Sequence, residues 1–175
     1  KAVFAKKKNL RLLLTGDLTE NGDADSFERL AGALRSAPCP VWPIPGNHDA
    51  RAAMFAAFPQ VQPDGGFAQY ALDAGELRLL MLDTLDPGRH GGGFCDERAA
   101  WLSAQLAAFP GRPTVIAMHH PPFVSGIDWM DPDPGEAWIA HFAAATRGHA
   151  QIRAILCGHL HRTIVTGWNG APLIV

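Results

Sequence analysis

Short apolar runs separated by longer amphipathic stretches recur along the chain. Leu10 to Leu14, Val41 to Ile44, Leu77 to Leu82, Thr114 to Met118, Ile152 to Cys157 and Thr163 to Thr166 are each rich in leucine, isoleucine or valine and have the length of strands. The segments between them carry helical spacing: Phe27, Leu30, Ala31 and Leu34 form one stripe, Leu102, Leu106 and Phe109 a second, and a third helix is predicted around Trp138, Ile139 and Phe142. Asp25 with Glu28, and Asp96, stand where helix N-caps would stand for the first two. "FAQYALDAGELRLLML" differs, because two strand-like runs flank the turn "DAGE" and predict an antiparallel hairpin. Alternating strands and helices predict the α/β class, and the hairpin makes its sheet mixed. No repeat, low-complexity tract or linker divides the sequence, so residues 1–175 read as one domain. The longest irregular stretch, Pro121 to Gly135, reads as a lid or rim.

Composition narrows the function classes. A chain of 175 residues with 47% hydrophobic and 18% charged positions has the makings of a single globular core. Fifteen basic residues against 17 acidic ones give a net charge of −2, so no global basic field points to nucleic acid or to an anionic membrane. The one basic run, Lys6 to Lys8, reads as a solvated turn or a local phosphate contact. Cys39, Cys95 and Cys157 are odd in number and far apart, which fits reduced thiols in the cytoplasm and argues against a thiolate metal site. No apolar run reaches the roughly 18 residues of a membrane span, and the N-terminal residues lack the signal-peptide arrangement.

The chemistry gathers just after the strands. "GDLTENG" begins at Gly16, "GNHD" at Gly46, "HHPP" at His119 and "GHLH" at Gly158, and all carry residue types that bind metals. Taken singly, each has a structural reading: Asp17 and Asn47 as turn residues, His119 and His120 as histidines satisfied at a strand end, Asp49 as the N-cap of a helix "ARAAMFAAF". His159 and His161 stand out, because residues two apart on extended backbone face the same side. In α/β sheets ligands bind at the carboxyl ends of strands, so loops distant in sequence can meet at one centre.

In this order the motifs resemble those of the calcineurin-like metallophosphoesterases, whose pattern runs Asp-x-His, Gly-Asp, Gly-Asn-His-Asp/Glu, a His, and Gly-His-x-His. The resemblance runs from Gly16 to His161 and implies an αββα fold, a two-sheet mixed β-sandwich flanked by helices. It implies two divalent or mixed-valence transition metal ions: manganese, iron or zinc. Asp17 would bridge them, Asn47, His119 and His159 would complete one position, and His161 would contribute to the other. His119 is preferred over His120 as ligand because of its place before the "x-Pro" step, which leaves His120 beside the metal or substrate. His48 would be catalytic, meeting a substrate oxygen, with Asp49 holding its ring in one tautomer. Two stretches, "LDTLDPGRHGGGFCDERAAWLSAQLA" and "MHHPPFVSGIDWMD", resemble the branch of class III 3′,5′-cyclic nucleotide phosphodiesterases, with glycerophosphodiesterases close by. The implied function is hydrolysis of a small phosphodiester by a metal-bound hydroxide.

The pattern also departs from the family's. No Asp-x-His precedes Gly16, since "KAVFAKKKNLRLLLT" contains no acid and no histidine, and the end "GAPLIV" stops inside an apolar run. The expectation is therefore a domain incomplete at both ends. The reading of another class is a module that binds a phosphorylated ligand without hydrolysing it. "HGGG" at His90 to Gly93 invites an ester-hydrolase oxyanion hole, but its Gly-x-Ser-x-Gly partner is missing. His141 and His149 read as packing or surface histidines. Phe123, Trp129 and Met130 wall a substrate pocket, or pack a loop or subunit contact, which leaves a homo-oligomer open.

Overall fold

The computed structural model describes residues 10–175, so the Lys6 to Lys8 run lies outside the described residues. In chain order the elements are β1 (Leu12–Thr15), α1 (Ala24–Leu34), β2 (Val41–Ile44), α2 (Arg51–Ala57), β3 (Tyr70–Ala74), β4 (Leu77–Met81), α3 (Asp96–Ala108), β5 (Thr114–Ala117), α4 (Ala137–Thr146), β6 (Ile152–Leu156), β7 (Val165–Trp168) and β8 (Ala171–Ile174). β1 and β2 form a small parallel sheet, and the others form a sheet in the order β3-β4-β5-β6-β8-β7. Its inner strands β4, β5, β6 and β8 run parallel, while β3 and β7 close the edges antiparallel.

Side-chain alternation along the strands stacks these parts into four layers. Leu79 and Met81 of β4 and Ala117 of β5 meet Leu13 of β1 and Ile44 of β2 between the two sheets. Leu80, Leu82, Ile116 and Met118, one residue out of phase with them, face the opposite way onto Leu102 and Leu106 of α3 and Trp138 and Phe142 of α4. Val41 packs outward with Phe27 of α1 and Met54 of α2. The Tyr70 hydroxyl donates to the Pro43 carbonyl at 2.6 Å and fastens β3 to β2. The αββα arrangement implied by the motifs is thus observed.

Several local expectations change. α1 is capped by Asp23, whose carboxylate accepts from the Ser26 backbone N–H, so the helix starts before the Asp25–Glu28 pair. Cys95 is the N-cap of α3 and Asp96 its first residue, placed to complement the helix dipole. Phe109 lies at the C-cap of α3 and is exposed, with the Arg78 guanidinium 4.0 Å over its ring. The strand expected at Thr163 begins at Val165, and the "GAPLIV" run is β8, inserted between β6 and β7 with Leu173 fully buried. The β7–β8 turn uses Asn169 and Gly170, both with positive φ, as a tight hairpin requires. The β3–β4 hairpin forms as expected.

Candidate metal centre

The parallel strands β1, β2, β4, β5 and β6 deliver Asp17, Asn47 to Asp49, Asp83 with Thr84, His119 with His120, and His159 from their carboxyl ends. The loops can approach this closely because glycines carry them. A Cβ on Gly46 would collide with the Asp17 carboxylate and backbone and come within 2.8 Å of the His119 ring, and one on Gly158 would come within 2.7 Å of the Thr15 carbonyl. Asp17, His159 and His161 have φ of 51°, 70° and 50°, a left-handed conformation that side-chain-bearing residues adopt at a cost. Apart from Asn169 in its turn, these are the only non-glycine residues with positive φ among the described residues.

Asp17, Asn47, His119 and His159 come together. His119 Nδ1 donates to the Thr15 carbonyl at 2.6 Å, which leaves its Nε2 with a lone pair. That Nε2 lies 3.2 Å from Asp17 Oδ2 and 3.3 Å from Asn47 Oδ1, and Asn47 Oδ1 in turn lies 3.1 Å from His159 Nδ1. With His119 in this tautomer no proton lies between its Nε2 and the two oxygens, an arrangement that a divalent cation would neutralise. These residues fit a metal ion. The donors are nitrogen and oxygen; Cys157 lines the same cleft, but burial pushes its thiol up and away from thiolate character.

His161 stands apart. It is exposed, at the rim of the cleft that Asp17, His119 and His159 line. His120 is buried at 4.7 Å between ring centroids from His119 and 4.8 Å from His159, and its Nδ1 lies 2.9 Å from Thr84 Oγ1. His48 is exposed, with its backbone N–H on Asp17 Oδ1 at 3.0 Å and its Nδ1 on the Glu20 carbonyl at 3.0 Å.

The expected role of Asp49 is corrected. Its carboxylate accepts from the backbone N–H groups of Leu18, Thr19 and Gly46 and from the Thr19 hydroxyl, at 2.9 to 3.1 Å. It therefore neither holds the His48 ring, which the Glu20 carbonyl holds, nor caps α2, whose N-cap is Ala50. Instead it ties the Asp17 loop to the Asn47 loop.

Electrostatics follow the packing. Partial burial would raise Asp17, but in the metal-free protein a protonated His119 ring, donating through Nε2, and the His48 N–H outweigh it and hold the carboxyl well below the usual range. The Glu20 carbonyl, followed by the Asp17, Glu20 and Asp49 charges, raises His48 against partial burial. Burial, then the His119 and His90 rings, push His159 down to about 4, against the Asp17 charge and the Met130 main chain. Burial, then His119 and His159, push His120 well below its ordinary value.

A stability prediction follows for the metal-free protein. An unfolded histidine titrates near about 6.5, so between that value and the folded one the unfolded chain binds more protons and stability falls as pH falls. For His159 the loss sets in below about 6.5 and is complete below about 4. It amounts to at most a few kcal/mol. Melts of chelator-treated protein across this window should show Tm falling on acidification, with a shallower fall in His159→Gln. A Tm that rises instead contradicts the assignment.

The loop packing makes a second prediction. Gly46→Ala should fold but lose metal affinity by roughly tenfold to a hundredfold, because Asp17 or His119 must move. Gly32→Ala in α1, whose Cβ meets nothing within 4 Å, serves as the control. Metal titration by calorimetry decides between them, and equal affinities in the two variants would contradict the packing account.

Sequence reasoning missed the residues behind these loops. Asp83 is fully buried and accepts from Arg51 Nε at 2.5 Å, Arg51 Nη2 at 2.9 Å, Ala68 N at 2.8 Å and Leu85 N at 2.9 Å, while Arg98 Nη1 donates to its carbonyl at 3.1 Å. In "HGGG", Gly92 is a spacer: a Cβ there would come within 2.8 Å of His120 Cβ. The ring of His90 itself lies tilted against those of His159, at 4.8 Å between centroids, and Trp129, at 5.9 Å, which is the exposed aromatic of the 121–135 loop. Phe123 packs on the main core and Met130 is buried. His141 bonds the Phe94 carbonyl and His149 bonds Gln151, both as packing residues. Among the described residues no helix is long and apolar enough to cross a membrane.

Comparison with known proteins gives the same direction. A "probable glycerophosphodiester phosphodiesterase GpdQ" of Arcobacter nitrofigilis is 30% identical over 94% of this chain and 61% of its own length. A "probable cyclic nucleotide phosphodiesterase" of Rhodopseudomonas palustris is 35% identical over 92% of this chain and 60% of its own. The "3′,5′-cyclic adenosine monophosphate phosphodiesterase CpdA" of Escherichia coli K12 is 31% identical over 93% and 58%. The chain thus spans about 60% of the length of these curated relatives. Among solved structures, a dimetal phosphatase from Danio rerio superposes with a TM-score of 0.73 over 94% of this chain and 71% of that one, at 18% identity, and so shares the fold. The profile of the calcineurin-like phosphoesterase family matches residues 1–163, and the chain belongs to that family.

Proposed function

We propose that this chain is the metal-binding core of a phosphodiesterase acting on small phosphodiesters, with 3′,5′-cyclic nucleotides the first substrate class and glycerophosphodiesters the second. The observation that carries the reading is the meeting of Asp17 Oδ2 and Asn47 Oδ1 at His119 Nε2, at 3.2 and 3.3 Å, with Asn47 Oδ1 also 3.1 Å from His159 Nδ1. Relatives named for cyclic nucleotide and glycerophosphodiester hydrolysis support the substrate class. Asp17, Asn47, His119 and His159 would hold one cation, and Asp17 with His161 would contribute to a second. The nitrogen and oxygen donors favour manganese, iron or zinc. Such a pair would supply positive charge for the phosphoryl oxygens and acidify water.

The chain's own residues do the rest. His48 Nδ1–H is committed to the Glu20 carbonyl, so its Nε2 is the nitrogen left to face substrate. The Glu20 carbonyl, followed by the Asp17, Glu20 and Asp49 charges, favours its protonated form, suited to donating to a phosphoryl or leaving oxygen. Asp49 keeps the two loops in register. The free thiols of Cys39, Cys95 and Cys157 support a cytoplasmic setting. A panel of cyclic nucleotides, glycerophosphodiesters and bis(p-nitrophenyl) phosphate, assayed with added manganese or zinc, tests the function. Metal-dependent turnover lost on chelation is expected. Metal binding without turnover of any diester would favour a non-catalytic binding module.

A further inference from the structure

His119 and His120 sit side by side, and one ring nitrogen from each, with one from His159, cluster within 4.8 Å, which taken alone resembles a three-histidine metal site. The proton count at Thr84 argues otherwise. Thr84 is fully buried, and its Oγ1 accepts the His120 backbone N–H at 3.2 Å while lying 2.9 Å from His120 Nδ1. A threonine hydroxyl carries a single proton. If His120 Nδ1 held a proton and donated it to Oγ1, the Thr84 hydroxyl would have no acceptor among the described residues, at the cost of a buried unsatisfied donor. If the hydroxyl donates to Nδ1, Thr84 Oγ1, His120 Nδ1 and the His120 backbone N–H are all satisfied, and the only donor left over is on the ring's other nitrogen. The ring proton then resides on Nε2, which is buried without a hydrogen-bond partner on a ring whose nitrogen clusters with those of His119 and His159. His119 is set the opposite way by the Thr15 carbonyl, which fixes the proton on Nδ1 and bares Nε2.

We infer that Thr84 sets the tautomer of His120, so that the two adjacent histidines divide the work: His119 offers a lone pair to a cation, and His120 offers an Nε2–H to an oxygen of the bound phosphoryl group. This deepens the phosphodiesterase reading and rests on it for the identity of that oxygen. His120 is then a catalytic residue outside the metal shell, and Thr84 is a positioning residue. Gly92 belongs to the same device, because its missing Cβ lets the 86–93 loop lie on His120.

Histidine-labelled protein examined by 15N NMR tests the tautomers without any turnover. His120 should carry its proton on Nε2 both metal-free and zinc-loaded, and His119 should carry its proton on Nδ1. Metal stoichiometry of His120→Ala and Thr84→Val should match that of the unaltered chain. With bis(p-nitrophenyl) phosphate, His120→Ala should lower kcat by about a hundredfold to a thousandfold with little change in KM. Thr84→Val should lower it by about tenfold to a hundredfold, and Thr84→Ser should restore it. An Nδ1–H tautomer at His120, or loss of one bound metal in His120→Ala, overturns the inference and leaves the phosphodiesterase reading standing. Nε2–H at His120 in a chain that hydrolyses no diester retains the tautomer and defeats that reading instead.

Discussion

His48→Ala should bind metal with unchanged stoichiometry and lose phosphodiester turnover by about a hundredfold or more. The expectation follows from where each atom of His48 points. Its backbone N–H supports Asp17 Oδ1, and that contact survives any side-chain change, so the Asp17 carboxylate keeps its place. The ring stands outside the cluster, exposed, and is aimed by the Glu20 carbonyl alone. Its removal should therefore subtract a donor to the substrate and little else. His48→Gln, which retains an N–H donor but cannot hold a positive charge, should fall between. Metal analysis and steady-state kinetics on the same preparations decide the matter: turnover within about twofold of the unaltered chain would remove His48 from the chemistry, and loss of metal would make it a ligand.

Asp83→Ala should destabilise the fold by about 3–5 kcal/mol, roughly 10 °C in Tm for a chain of this size. Asp83 is the anion around which β4, α2 and α3 are joined. Arg51, the first residue of α2, grips it with two nitrogens, and Arg98 of α3 approaches its Oδ1 at 3.9 Å while donating to its carbonyl. Both guanidinium groups also lie over the Phe67 ring, at 5.3 Å and 4.7 Å. Removing the carboxylate leaves one largely buried and one buried arginine uncompensated, together with the orphaned N–H groups of Ala68 and Leu85. Because Arg51 follows the Asn47 loop and Thr84 follows Asp83, metal affinity should fall with stability. Denaturant titration of Asp83→Ala and Asp83→Asn measures the first effect; a loss under about 1 kcal/mol would show that the cluster is not a structural hub.

The four motifs that carry Asp17, Asn47, His119 and His159 were legible as strand-end loops because each follows a short apolar run, and parallel strands deliver their carboxyl ends to one edge; choosing these four as ligands took the resemblance to the family's pattern. The α/β class was legible in the alternation of strands and helices, while the two-sheet layering came from the resemblance to the family. Asp83 and Thr84 left no such mark. They lie at the end of the same kind of run, but "LDT" has no spacing that distinguishes a buried hub from a polar turn, and its partners Arg51 and Arg98 are far away in sequence. The role of Asp49 was misjudged because its neighbour in sequence is His48, whereas the donors that claim its oxygens come from Leu18 and Thr19 across the cleft. The position of β8 was equally hidden: a strand inserted between β6 and its own hairpin partner β7 is fixed by tertiary pairing, not by local pattern.

The central claim is that one cation sits among residues brought from four strand ends. Crystals grown with manganese and measured for anomalous scattering test it most directly. The account predicts a peak at about 2.0–2.3 Å from Asp17, Asn47 Oδ1, His119 Nε2 and His159. No peak there at saturating manganese, or one coordinated by His120 Nε2 in place of His119, would contradict it.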